Sequence, residues 1–219
     1  MFRDRVFTSA VFSLFFTFLA YPSYTLIMPF YLMQGRGVRP TGTGVFMAIV
    51  SMGTIVFGPI SGWLSDRFGP VWFATLGALI SAVSFGLMQG FGLDTGTMYI
   101  VLVLLLYGLG VGLFQPPNNS TIMGVVPRER LGTASAMIAT QRSVALSLGT
   151  AVAGLLFSLR LDFYQGALSR SGLAAAEAAR QAIPPAFHEV LAVFMFASLV
   201  SAALALAAKG ARHPGGGRV

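Results

Sequence analysis

The chain predicts an all-α integral membrane protein with six transmembrane helices, arranged as two inverted three-helix repeats. Three observations carry that prediction. The 219 residues are 55% hydrophobic and 10% charged, with a mean hydropathy of +0.77, a balance that a soluble domain of this length does not reach. Six apolar runs are each long enough to cross a hydrocarbon core of about 30 Å as a helix. Prolines interrupt the first and the fourth run late in each, so equivalent breaks recur in two successive groups of three spans. Three is odd, so the second group enters the membrane from the opposite side.

Spans are expected over 6–33, 42–64, 72–91, 98–125, 132–159 and 187–208. The first is too long for a signal-peptide core and lacks an Ala-x-Ala-like end, so it reads as an uncleaved span, broken by Pro22 and Pro29. Glycine, proline or charge marks each following boundary: Gly35-Arg36-Gly37-Val38-Arg39-Pro40, then Asp66-Arg67, then Gly92-Leu93-Asp94, then Pro127-Arg128-Glu129-Arg130. The Gly58 to Pro70 stretch leaves only a few residues for the hairpin between spans two and three, and sets Asp66 and Arg67 in it. Residues 160–186 read as an external loop. Within it Ser171 is positioned to cap a short helix over 174–180 that Pro184-Pro185 ends, a surface helix or a lid over the mouth of the bundle. Residues 209–219, with Gly215-Gly216-Gly217, read as a disordered cytoplasmic tail.

The formal net charge of +7 is accounted for by topology. Six spans put both termini on one side, with Arg3, Arg5, Arg67, Arg128, Arg130, Lys209, Arg212 and Arg218. The other side has Arg36 and Arg39 plus three arginines in the long loop, where charge counts for less. The positive-inside rule therefore places both termini and the Asp66-Arg67 turn in the cytoplasm, and nucleic acid is not an expected partner. With no cysteine, no phosphate-binding glycine loop and no His/acid cluster at metal spacing, neither an enzyme activity, a cofactor nor a metal is expected.

Polar residues inside the spans are the functional candidates. Span four carries Gly108, Gly112, Gln115, Asn119 and Ile122 at intervals of three or four, with Asn118 alongside, which makes one helix face. Its amides are either interhelical glue or a polar cavity wall. Pro116-Pro117 frees backbone carbonyls on the same stretch, which a cavity tolerates and lipid does not. Arg142 falls near the middle of span five, where an arginine costs at least about 2.5–3.5 kcal/mol and normally faces a partner or an aqueous path. No Asp or Glu lies deep in a span, so Arg142 is left with Gln115, Asn118, Asn119, a freed carbonyl, an anionic ligand or a carboxylate from another chain. In span one, Tyr24 and Met28 offer an aromatic and thioether surface suited to apolar or cationic ligands, whereas Tyr31 and Gln34 fit an interfacial belt. His188 and Glu189 open span six, where the carboxylate complements the helix dipole.

Gly62-Trp63-Leu64-Ser65-Asp66-Arg67-Phe68-Gly69 resembles the Gly-x-x-x-Asp-Arg-x-Gly signature between the second and third helices of each half of major facilitator superfamily transporters, with Pro70, Val71 and Trp72 where basic residues usually follow. Met28-Pro29-Phe30-Tyr31-Leu32, Gly108 through Asn119, Pro127-Arg128-Glu129-Arg130 and Gly132 to Arg142 are similar to the C-terminal six helices of the fourteen-helix drug:proton antiporters. The fourth-helix Arg-x-x-Gln-Gly pattern is absent and the fifth-helix Gly-Pro motif is reduced to Gly149-Thr150 and Ala153-Gly154, as suits a C-terminal half. The resemblance implies half of a major facilitator fold in a bacterial cytoplasmic (inner) membrane. It also implies proton-coupled export of amphipathic or cationic drugs, and a partner N-terminal half of six or eight helices, in the same ancestral chain or as a separate subunit. Tyr24, Met28, Gln115, Asn118, Asn119 and Arg142 are the expected substrate-binding residues; Gly62, Asp66, Arg67 and Gly69 the expected conformational latch. The alternatives are a membrane interaction module that transports nothing and a half-transporter acting as a dimer.

Overall fold

The computed structural model describes residues 4–208; the expected tail lies outside them. Asp4 opens α1 (Arg5–Phe30), its carboxylate accepting from the backbone N–H groups of Val6 at 2.8 Å and Phe7 at 3.3 Å. Neither Pro22 nor Pro29 ends the helix; it loosens into a π-helical turn at Tyr31–Gly35. Helix α2 (Pro40–Phe68) and helix α3 (Pro70–Met88) each start on a proline, whose missing N–H is harmless there. Only Gly69 separates them, at φ +94°, a backbone conformation that a side chain would strain. Asp66 and Arg67 therefore belong to the last turn of α2 rather than to a loop. Helix α4 (Thr97–Gly124) contains Pro116 and Pro117.

Helix α5 (Leu131–Arg170) departs from expectation. It runs for 40 residues, roughly 60 Å, and so reaches well beyond a hydrocarbon core of about 30 Å. The charge at Arg160 does not stop it; the stop comes at Gly172, with φ +93° and the Leu173 N–H bonded back to the Leu168 carbonyl. Most of the expected loop is thus helix. Ser171 is the C-cap of α5, not the N-cap of the next helix, α6 (Ala175–Gln181). Pro184 and Pro185 lie in the first turn of helix α7 (Ile183–Ala207), where they begin a helix rather than end one.

Helix α4 packs on α2 and α3; α1 packs on α5 and α7; α3 meets α7, and α1 meets α4. Exchanging α1 with α4, α2 with α5 and α3 with α7 leaves this set of pairings unchanged, which is the pattern of two inverted repeats. The equivalent crossings use the same device. A Cβ on Gly108 of α4 would lie 2.5 Å from the Val50 carbonyl of α2, and one on Gly149 of α5 would overlap the Leu19 carbonyl of α1. Pro116 leaves the Gly112 carbonyl without its helical donor, and Ser61 of α2 supplies one at 2.8 Å.

Two apolar cores result. The larger holds Tyr24, Tyr31, Phe85, Tyr107 and Phe187; the smaller holds Phe7, Leu14, Phe114, Ile122 and Ile138. The helices are unequally covered: only 17% of the most apolar stretch of α2 and 22% of that of the α5 segment is buried, against 44–50% in the other four.

Candidate functional site

Where α4 and α5 diverge beside the smaller core, a cavity of about 360 Å³ opens, walled by Asn119 and Met123 from α4 and by Ser135, Ile138, Arg142 and Ser143 from α5. The spacing explains the wall on α5: positions 135, 138 and 142 are three and four apart and share a face. The Arg142 guanidinium lies over the Phe18 ring of α1, its Cζ 4.7 Å from the centroid, a cation–π contact that offsets part of the burial cost. Its Nε is buried and makes no hydrogen bond among the described residues, and the same is true of Asn119 Oδ1 and, next to Arg142, of Gln141 Oε1. The Ser143 hydroxyl donates to the Ala139 carbonyl at 3.1 Å and keeps its lone pairs for the cavity. Of the seven carboxylates, Asp162 lies within the α5 extension, Glu189 in the second turn of α7 and the others at helix ends, in short helices or in connections; none lines this space.

The structure brings together two of the six expected binding residues, Asn119 and Arg142. Asn118 faces away, 1% exposed, and donates from Nδ2 to the Ala10 carbonyl at 3.1 Å, which is the interhelical-glue reading. Gln115 is partly exposed one turn away and does not line the cavity. Met28 is fully buried in the larger core, and Tyr24 beside it donates its hydroxyl to the Met47 carbonyl at 2.9 Å. Tyr31 is not an interfacial residue: it is fully buried, donates to the Gly92 carbonyl at 2.7 Å and stacks on Phe187 with centroids 4.8 Å apart. Of the expected latch, Gly62 approaches Pro116, and Gly69 forms the hinge between α2 and α3. Asp66 and Arg67 are exposed, and among the described residues neither forms an ion pair, with Arg128 and Arg130 or otherwise; Arg67 rests over Phe68 at 5.9 Å.

At the far end of the bundle, Glu189 does not act as a first-turn residue, because α7 starts six positions earlier. It pairs with Arg160 of the α5 extension at 2.6 Å and accepts from the Tyr164 hydroxyl, while His188 Nε2 contacts the Phe91 carbonyl at 2.7 Å. Arg180 of α6 donates to the Gly35 carbonyl at 3.0 Å.

The model of the Major Facilitator Superfamily matches residues 1–150. The chain belongs to that superfamily. It is an integral membrane protein of a transporter family, with six helices long and apolar enough to cross a bilayer. The riboflavin transporter RibZ of Clostridioides difficile is 30% identical over 141 residues, 64% of this chain and 31% of that protein. The tetracenomycin C resistance and export protein of Streptomyces glaucescens is 33% identical over 132 residues, 60% of this chain and 24% of its own length. The methyl viologen resistance protein SmvA of Salmonella typhimurium is 31% identical over 182 residues, 82% of this chain and 36% of its own length. The chain thus spans about a third or less of these superfamily relatives.

Sequence reasoning missed Phe18 and Gln141. Gln141 donates from Nε2 to the Val11 carbonyl and anchors the Arg142 turn of α5 to α1. Its position beside Arg142 was a usable signal, since a second polar group at that depth also needs a partner. Nothing in the spacing of span one marks Phe18 as the ring under the guanidinium. The reduced Gly149-Thr150 motif is a packing site in this superfamily member, where Gly149 admits the α1 backbone.

Proposed function

We propose that this chain is the C-terminal six-helix half of a secondary transporter that exports amphipathic compounds, cationic ones among them, against proton entry across a bacterial cytoplasmic membrane, with both chain termini cytoplasmic. The observation that carries the reading is the α4–α5 cavity with an arginine, half-buried within a span, whose Nε finds no hydrogen-bond partner among the described residues. A cation held in a span at this cost is a transport-site feature by default. The sparse cover of α2 and α5 supports a partner: their exposed faces are where an N-terminal half of six or eight helices would seat, and rocking of the two bundles would open the cavity to alternate sides. Several relatives bear resistance or export names. No carboxylate of this chain lines the cavity, so the proton-binding acid falls to the partner half. Asp66 and Arg67, exposed in the last turn of α2, are free to latch onto that half in one state of the cycle.

Efflux of a fluorescent drug from cells expressing the chain with its completing segment tests this. Arg142→Ala should abolish export while membrane insertion is retained, and Asp66→Ala should slow it. Full export by Arg142→Ala removes the site assignment; normal export and stability in Asp66→Ala removes the latch. Proton-driven transport by the purified chain alone would show a self-sufficient dimer instead, and no transport in any combination would leave the interaction module.

A further inference from the structure

We infer that the α4–α5 cavity selects an anionic or strongly accepting oxygen group on an aromatic or otherwise apolar body, and that it does not hold the positive charge of a cationic cargo. The inference rests on reading that cavity as substrate-facing. Its charged wall is a single guanidinium with a buried, unpartnered Nε, and no carboxylate lines the space to balance it. A guanidinium presents only donors, and its planar fork matches a carboxylate, phenolate or carbonyl edge. A cation entering the same space meets like charge, with no carboxylate in the wall to offset the repulsion. Asn119 adds the complement: it lines the space, and its Oδ1, buried and without a partner among the described residues, gains one when the amide turns to accept a hydroxyl or N–H of the same ligand. Met123 and Ile138 supply the apolar wall, and methionine adapts to aromatic bodies of differing outline. A cationic compound carried by the assembled transporter would therefore be neutralised by an acid outside this chain.

The test uses two dyes that share a xanthene body and differ in charge: fluorescein, an anion at mildly alkaline pH, and rhodamine 6G, a cation. Binding to the chain in phosphatidylcholine nanodiscs is read by fluorescence anisotropy against empty discs. Fluorescein should bind the more tightly. Arg142→Gln should weaken it about tenfold or more, the worth of one hydrogen bond to a charged group, while Arg142→Lys keeps most of the affinity and rhodamine 6G binding does not fall. Asn119→Asp, which leaves the arginine in place and sets a carboxylate in the wall, should remove the preference for fluorescein. Tighter binding of rhodamine 6G by the unaltered chain, no binding of either dye, or fluorescein affinity indifferent to both substitutions overturns the inference. Loss of fluorescein binding when the completing segment is co-expressed would assign Arg142 to a carboxylate of that segment, and also overturns it. Export that fails while the dye preference holds counts against the transport reading alone; export that proceeds with the preference reversed counts against this inference alone.

Discussion

Tyr31 and Arg142 mark two regions of one bundle that are finished differently. Around Tyr31 the rings of Phe91 and Phe187 stack in near-parallel planes, the tyrosine hydroxyl reaches a backbone carbonyl, and the Arg160–Glu189 pair and the Arg180–Gly35 contact close the surface above. Around Arg142 the helices part, and three buried polar atoms lack a partner. Both regions draw on aromatic and arginine side chains. The difference lies in how many buried polar atoms find partners among the described residues: near Tyr31 only Arg36 Nη1 is left over, against three atoms around Arg142, where a cavity also opens.

Substitutions break or sharpen that contrast. The largest effect is expected in the closed region: Phe187→Ala removes the ring stacked on both Tyr31 and Phe91 and should cost about 3 kcal/mol in a detergent-unfolding titration. A loss well under 1 kcal/mol would mean that the stack is not what holds that end together. Arg142→Leu should run the other way. Removing a half-buried cation within a span, which costs up to about 2.5–3.5 kcal/mol and returns up to about 2 through Phe18, should leave the bundle as stable as before or about 1 kcal/mol more so, although export is lost. A marked destabilisation would reveal a structural arginine and erase the contrast. Smallest is Glu189→Gln, since both partners of its ion pair are more than a third exposed; the same titration should move by less than about 0.5 kcal/mol.

Much of the fold was legible because the membrane imposes length and charge rules that can be read residue by residue. The six helices, the proline positions and the tight α2–α3 turn all follow from them. What the rules do not contain is which face of a span looks inward. In water an amphipathic period exposes the core face, but lipid tails are as apolar as the interior, so Ile27 at 1% exposure and Ile55 at 72% look alike in sequence. Met28 and Tyr31 were misplaced for that reason, one as a cavity wall and the other as a belt. Arg142 and Asn119 stand out in the sequence because a polar group in lipid is costly wherever it points, and the structure sets both in one cavity wall. Asn118, next in line, was indistinguishable from Asn119 until the position of Ala10 was known. The α5 extension is not legible from charge or composition: the helix runs on through Gly154, Arg160 and Gly166 alike, and ends only where Gly172 adopts positive φ.

The length of α5 turns it into a lever. About 28 residues separate Arg142 from Arg170, roughly 42 Å of helix. A tilt of about 10° pivoting near the cavity would carry the far tip some ~7 Å sideways, by the same rise per residue. That tip is tied through α6 to Gly35, and along its shaft to Glu189. A ligand that drew the two helices together at Arg142 would therefore shift the opposite surface of the protein as well, because one unbroken helix joins them.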